Sequence, residues 1–283
     1  FTKERGRAVA LATLGFPAAE AALPPLAALG LAGLGFGAVW LIAGGVMAAI
    51  VAPGLVLLSL AAGRARLRAG AGRDGAQSGA AAAPSWTRGQ VLRDPRFYAI
   101  CPGLLAGPFI VTGIVFHQAR LAEASGWTLP QFAALFPLYA AAAVTAGLVV
   151  GAASDRFGAR GVLPVFLLPL CLALLVLALT DALAAAAVAM ALLGLTAGGA
   201  TVLFGTVWAE LYGPAHLGAI RALAVSLMVV ATALAPALLG VLIDLGVSLD
   251  AQFLALAVYV LACIVVLLRV RAQLTSRPPA QPS

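Results

Sequence analysis

The fold follows from one stretch of this sequence, GAASDRFGAR at residues 151–160. It is the densest cluster of charge inside the apolar part of the chain. The segments on either side, residues 132–150 and 162–179, contain no charged residue at all. Glycine permits the sharp backbone conformations of a tight turn, and charged side chains at such a turn remain in water. The pattern therefore predicts a short loop at a membrane surface, joining two uncharged helices.

The composition of the whole chain agrees with a location in lipid. It is 63% hydrophobic and 10% charged, with a mean hydropathy of +1.07, whereas a soluble domain has about a quarter of its residues charged. A membrane-spanning helix needs about 20 apolar residues, and in lipid its backbone must satisfy its own hydrogen bonds. We therefore expect an all-α polytopic membrane protein with eight transmembrane helices, at residues 8–29, 34–60, 97–116, 131–153, 162–179, 182–209, 219–243 and 251–268.

The placement of basic residues supports this topology. With the N-terminus of the chain in the cytoplasm, every lysine and arginine except Arg120 falls on the cytoplasmic side, as the positive-inside rule requires. The net charge of +7 is therefore explained by topology. Because the arginines lie in short loops without interleaved aromatic residues, the pattern excludes a nucleic-acid-binding protein.

No motif in the sequence indicates an enzyme. Cys101, Cys171 and Cys263 each stand alone in an apolar segment, so no metal-ligand spacing and no disulfide framework is visible. There is also no nucleophile–base pair and no phosphate-binding loop. We expect no cofactor, no metal and no catalytic residue.

The pattern Gly-x-x-x-Asp-Arg-x-Gly-x-Arg within residues 151–160 resembles the signature loop of the major facilitator superfamily of secondary transporters. This resemblance implies a bundle of two six-helix halves, of which the eight expected spans would be helices five to twelve, without the first four. Residues 1–62 would then end the N-terminal half, and residues 63–96, which are rich in alanine, glycine and arginine, would be a cytoplasmic linker. Residues 97–270 would form the six-helix C-terminal half, and residues 271–283 a disordered cytoplasmic tail.

The same resemblance implies a transporter that works by alternating access between the two sides of the membrane. Its partners would be a small-molecule substrate, protons and the lipid bilayer, and proton symport in a bacterial inner membrane is expected, with both ends of the chain cytoplasmic. Residues 3–8 (KERGRA), Leu23-Pro24-Pro25 and the pair Phe36 and Trp40 are similar to the monocarboxylate and oxalate/formate branch, which implies a small organic anion.

One departure from that branch leaves the substrate open. The carriers of monocarboxylates have a characteristic Asp and Arg in the eighth helix, whereas residues 131–153 here carry no charge. A drug or metabolite efflux carrier of the same fold is therefore an alternative, and so is a truncated membrane protein that transports nothing.

Four residues are candidates for the pathway of substrate and protons. Glu20 lies about twelve residues into the first span, roughly 18 Å deep, where secondary transporters bind substrates and coupling ions. An ionisable group at that depth is costly and is by default a functional residue. His117 and Gln118 end the third span, where a histidine can titrate and gate an entering anion. Tyr139 lies in the middle of the fourth span.

A second group of residues is expected to form a cytoplasmic gate. In the family that this chain resembles, the loop arginine pairs with an acid at the inner end of the tenth helix, a position that Glu210 occupies here. The loop aspartate approaches the start of the fifth helix, here near Gly6 and Ala8. The resemblance implies a latch between the two halves, formed by Gly151, Asp155, Arg156, Gly158, Arg160, Glu210 and Arg221.

Overall fold

A computed structural model of the chain describes residues 15–69 and 85–276. Over these two ranges the chain forms eleven helices and no strand. In chain order they are α1 Gly15–Ala69, α2 Arg88–Val91, α3 Pro95–Phe116, α4 Gln118–Ala124, α5 Leu129–Ala133, α6 Phe136–Phe157, α7 Ala159–Val162, α8 Leu168–Leu179, α9 Leu183–Tyr212, α10 Leu217–Asp244 and α11 Leu249–Ser276.

Six segments in the described ranges are long and apolar enough to cross a membrane. They are Gly15–Leu57, Pro95–Phe116, Leu129–Phe157, Leu183–Tyr212, Leu217–Asp244 and Leu249–Ala272. Many of their large apolar side chains are exposed, as for Leu41 at 79% and Phe36 at 71%, which suits a lipid solvent rather than water. The prediction of an all-α polytopic membrane protein is confirmed, while the count of eight spans stays a prediction.

The first of these segments contains a sharp reversal of the chain. Its 43 residues would extend about 64 Å as a straight helix, roughly twice the hydrocarbon thickness of a bilayer. The helix breaks at Gly35, where φ is 77°, and a Cβ on Gly30 would lie 3.0 Å from the Val39 side chain. Residues nine apart in a straight helix would be separated by about 13 Å along the axis. The chain therefore folds back on itself near Gly35, between the two spans expected at residues 8–29 and 34–60.

The segment expected to be a linker, residues 63–96, is partly helical. Helix α1 continues to Ala69, and α2 and the first residues of α3 occupy its other end. Thr87 and Gln90 cap α2 reciprocally, and Asp94 caps α3 just before Pro95, which suits a first helical position because it has no N–H to satisfy. Residues 70–84 lie outside the described part of the chain.

Residues 95–276 form a bundle with a common apolar core. Helix α9 packs along α6 and α8, while α11 packs against α8 and α3, and α10 against α3. The largest fully buried side chains include Phe97, Leu170, Trp208 and Phe253. In lipid, close packing of this kind replaces the hydrophobic effect as the force that holds helices together.

Helices α6 and α9 approach each other to backbone contact. A Cβ on Gly194 would overlap the Tyr139 carbonyl, and one on Gly198 would overlap the Ala143 carbonyl. Both pairs advance together along the sequence, so the two helices run parallel. Gly194 and Gly198 are spaced as Gly-x-x-x-Gly, the small-residue spacing that lets membrane helices pack closely.

Prolines shorten two of the expected spans. The span expected at residues 162–179 is helical in α8 only from Leu168, because Pro164 has no N–H donor and residues 163–167 form turns instead. The span expected at 131–153 is divided at residues 134–135, just before Pro137 at the start of α6.

At the other end of the chain α11 continues to Ser276, into the tail expected to be disordered from residue 271. Residues 277–283 lie outside the described part.

Candidate functional site

Four helices line an open cavity of about 590 Å³. Each helix turns one face toward it, because residues three or four apart lie on the same side of a helix. The lining consists of Glu20 and Pro24 on α1; Val111, Thr112, Val115 and Phe116 on α3; Gln118 at the start of α4; and Phe136 and Tyr139 on α6.

The cavity brings together three of the four residues predicted for the pathway. Tyr139 is buried, while Glu20 and Gln118 are half-buried. Glu20, from α1, and Tyr139, from α6, both line this cavity. A carboxylate, a phenol and an amide therefore share one cavity whose remaining lining is threonine, proline and large apolar side chains.

His117, the fourth predicted residue, is not in the lining. Its Nε2 lies 3.0 Å from the Pro236 carbonyl oxygen of α10. Its ring also lies 3.5 Å from where a Cβ on Gly240 would be, so the missing side chain of Gly240 leaves room for the imidazole. His117 therefore joins the end of α3 to the middle of α10, and Gln118 alone of the pair faces the cavity.

A second cluster joins α7 to the end of α9 through Glu210. The Ala159 amide donates to Glu210 Oε2 over 2.6 Å, and Arg160 Nη2 donates to the Glu210 carbonyl over 2.5 Å. Arg160 Nε lies 3.0 Å from Glu210 Oε1, as an ion pair rather than an aligned hydrogen bond. The structure thus brings together the arginine and the acid that the sequence pairs.

The turn in this cluster is one residue long. Helix α6 continues to Phe157, so Asp155 and Arg156 belong to its last turn rather than to the loop predicted for residues 151–160. Gly158 then reverses the chain at φ 75° and ψ 152°, a region that favours glycine. A Cβ on Gly158 would also lie 3.1 Å from Glu210 Oε1. Gly158 therefore allows both the turn and the approach of the carboxylate.

The other predicted gate residues are placed differently. Asp155 and Arg156 are exposed, and no atom lies within 4 Å of a Cβ on Gly151. Arg221 donates to the Gly205 carbonyl of α9 rather than to an acid. Residues 6–8, the predicted neighbours of Asp155, lie outside the described part.

This arrangement changes what the ion pair can do. Arg160 and Glu210 both belong to the bundle of residues 95–276, so their pair fastens α7 to α9 within that bundle.

One buried cluster was missed by the sequence reading. Asp94 is 6% exposed and accepts a hydrogen bond from the Tyr212 hydroxyl over 3.1 Å. The Trp86 amide donates to the Tyr212 carbonyl over 2.9 Å, and the rings of Trp86 and Trp208 both contact that of Tyr212. The cluster fastens the residues before α3 to the end of α9. The Asp-Pro pair at residues 94–95, a helix-start signal, could have indicated the ordered start of this segment.

No group of three or more metal-ligating side chains occurs within residues 15–69 and 85–276. Cys101, Cys171 and Cys263 are buried and form no disulfide.

Comparison with known proteins gives one match. The family profile of the Major Facilitator Superfamily matches residues 109–283, more than half of the chain and including both the turn at Gly158 and Glu210. No curated protein and no solved structure matches the chain. With its apolar helical bundle and this match, the chain belongs to the major facilitator superfamily of membrane transporters.

Proposed function

We propose that the chain is a proton-coupled secondary transporter, which moves a small solute by alternating access through the cavity of Glu20, Gln118 and Tyr139. The observation that carries this proposal is the meeting of a carboxylate and a phenol in a cavity between membrane-spanning helices. An ionisable residue in the membrane costs about 2.5–3.5 kcal/mol on insertion scales. Such a residue is expected where it binds an ion or a solute, and secondary transporters bind both near the middle of the bilayer.

Glu20 carries the proton in this proposal. Its half-buried position allows the carboxylate to exchange with water when the cavity is open, and to be held neutral when the cavity closes around it. Tyr139, close by, can donate a hydrogen bond to the ionised carboxylate or to a bound solute. Gln118 stands where α3 gives way to α4 and offers both an amide donor and an acceptor to an entering solute.

The gate is the second part of the proposal. The Arg160–Glu210 pair fastens the chain just after the turn at Gly158, and the last turn of α6, just before Gly158, carries Asp155 and Arg156 at the surface. Asp155 then closes the cytoplasmic side by contact with the start of the first span, where the positive end of a helix attracts an anion. The contact would break when the cavity opens to the cytoplasm.

We also propose the membrane in which the protein lies and the division of the chain between the two halves of the bundle. The expected home is the inner membrane of a bacterium, with both ends of the chain in the cytoplasm, because this orientation puts all basic residues except Arg120 on one side. Residues 1–62 and 97–270 are the parts of the two halves, joined by the linker at 63–96 and followed by the tail at 271–283.

For the solute, the cavity favours efflux of a drug or metabolite over uptake of a monocarboxylate. Among the residues that the structure describes, the lining includes no lysine, arginine or histidine, and an anion would need such a partner.

The test is solute movement in proteoliposomes that contain the full-length protein. A pH gradient is imposed in either direction, and movement of labelled lactate, benzoate and tetraphenylphosphonium is followed. We expect the gradient to drive at least one of them, and Glu20→Gln to abolish the effect. Glu123→Gln is the matched control, since Glu123 is an exposed carboxylate paired with Arg120 away from the cavity. Unchanged gradient-driven movement in Glu20→Gln would remove Glu20 from proton coupling.

A further inference from the structure

Residues 85–94, which include α2, form a strap across the end of α9. Near the start of the strap, the Trp86 amide donates to the Tyr212 carbonyl over 2.9 Å. At the other end of the strap, the Asp94 carboxylate accepts from the Tyr212 hydroxyl over 3.1 Å. Both ends of the strap are therefore bonded to Tyr212, the last residue of α9.

The strap turns a buried face toward the bundle. Val91 is 0% and Asp94 6% exposed, and the Trp86 ring contacts that of Tyr212 with centroids 5.5 Å apart. A buried carboxylate is costly unless it is hydrogen-bonded. Asp94 accepts from the Arg96 amide over 2.9 Å and from the Tyr212 hydroxyl. The hydroxyl of Tyr212 therefore helps to keep the strap closed, because without it one oxygen of a buried carboxylate loses its donor.

The last turn of α9 is held from two sides. Glu210 and Tyr212 are two residues apart, which separates them by about 200° around the helix axis. Glu210 faces α7, where the Ala159 amide and Arg160 bind its carboxylate, and Tyr212 faces the strap. Each side also satisfies one of the carbonyls that a helix end leaves unpaired, since Arg160 donates to the Glu210 carbonyl and Trp86 to that of Tyr212. The strap and α7 therefore clamp the same turn.

We propose, on the basis of the gate described above, that the strap positions that gate. Trp86 and Asp94 hold the last turn of α9 in place, and this turn sets the distance at which Glu210 binds α7. When the strap is released, the turn loses bonds that the helix itself does not supply. The contact of Glu210 with Arg160 then weakens, and Asp155 is no longer held where it closes the cavity. Trp86 and Asp94 are thus positioning residues, which act through Glu210.

Two measurements on the full-length protein test the proposal, with Tyr212→Phe as the variant that removes the hydroxyl and keeps the ring. The first is cleavage by trypsin after Arg88, an exposed residue of the strap, followed by mass spectrometry. A protease cleaves the transiently opened segment, and loss of a donor to a buried acceptor favours opening, so we expect cleavage about 5- to 100-fold faster. Tyr259→Phe is the matched control and should be cleaved like the parent, because its hydroxyl also donates over 3.1 Å, but to the Pro102 carbonyl.

The second measurement is maleimide labelling of a cysteine introduced by Phe116→Cys in the cavity lining. We expect Tyr212→Phe to slow the labelling at least about twofold, in the same direction as Asp155→Asn, and Tyr259→Phe to leave it unchanged. A general loss of stability would affect both tyrosine variants, so the contrast between them isolates positioning. Trp86→Ala, which removes the ring that contacts Tyr212, takes the place of Tyr212→Phe if that variant does not elute as a monodisperse protein.

The outcomes separate the strap from the gate. Equal cleavage after Arg88 in the parent and in Tyr212→Phe would overturn the proposal, because the hydrogen bond would not hold the strap. Faster cleavage with unchanged labelling would also overturn it, and the gate would stand if Asp155→Asn still slowed the labelling. Slower labelling in Tyr212→Phe without any effect of Asp155→Asn would refute the gate at Asp155 and support the strap as a control on the cavity.

Discussion

Replacement of Glu210 tests whether this carboxylate fastens α7 to the end of α9. Glu210→Ala removes the acceptor of the Ala159 amide, and Ala159 is only 2% exposed. A buried donor without an acceptor costs about 1–3 kcal/mol. The lost ion pair with Arg160, whose side chains are 24% and 34% exposed, adds about 0.5–1 kcal/mol after solvent screening. The loss in the free energy of unfolding is therefore about 1.5–4 kcal/mol.

Glu210→Gln separates the two contributions. Its amide oxygen can still accept from Ala159, so only the ion pair is lost and the cost falls to about 1 kcal/mol. By thermal unfolding in detergent, we expect a midpoint lower by about 3–16 °C for Glu210→Ala and by about 1–4 °C for Glu210→Gln. Asp155→Asn is the control, because Asp155 is exposed in the last turn of α6, just before Gly158, and it should unfold like the parent.

Two results would refute this reasoning. Equal losses for Glu210→Ala and Glu210→Gln would mean that the hydrogen bond from Ala159 contributes nothing. A loss for Asp155→Asn as large as that for Glu210→Ala would mean that any charge change at this turn destabilises the protein. A double-mutant cycle of Glu210→Gln with Arg160→Gln isolates the ion pair, for which we expect a coupling of about 0.5–1 kcal/mol.

Two further predictions concern packing and gating. Gly198→Ala should force α6 and α9 apart at the Ala143 carbonyl and lower stability by at least about 1–3 kcal/mol, seen as a lower unfolding midpoint, while Gly151→Ala, which meets open space, should leave it unchanged. Asp155→Asn should shift the full-length protein away from its outward-open state and reduce maleimide labelling of a cysteine introduced by Phe116→Cys in the cavity lining. Equal labelling with and without Asp155→Asn would contradict the gate.

The lengths of the apolar runs in the sequence predicted the long helices well, but they did not predict where the helices are interrupted. Runs of about 20 uncharged residues leave helix as the one way to satisfy the backbone in lipid, so the apolar helices α3, α6, α8, α9, α10 and α11 were expected, whereas the short helices α4 and α7 were not. The turns at residues 163–167 depend on Pro164, and the reversal at Gly35 depends on a positive φ. In both places the backbone conformation is decided by one residue within a run of apolar neighbours, and a hydropathy average does not distinguish that residue.

The sequence predicted those features of the candidate site that depend only on the position of a residue along one helix. Counting residues into the first span placed Glu20 at depth, and the cavity lining includes it. The direction of His117 was not predictable, because it depends on the space that Gly240 leaves on a helix more than a hundred residues away. Asp94 was missed for the same reason, since its partner Tyr212 is 118 residues distant.

Because α6 is long, a tilt at the end beside the cavity displaces the other end, which lies beside the turn at Gly158. From Tyr139, beside the cavity, to Phe157, just before the turn, the helix extends roughly 27 Å without a break. Its backbone contact with α9 at Gly194 and Gly198 keeps it from bending independently. A tilt of about 5° around the cavity would therefore displace the far end by about 2.4 Å, given that length. Such a displacement is comparable to the difference between a made and a broken hydrogen bond, so in the proposed transporter α6 would couple a small change at the cavity to the surface contact of Asp155.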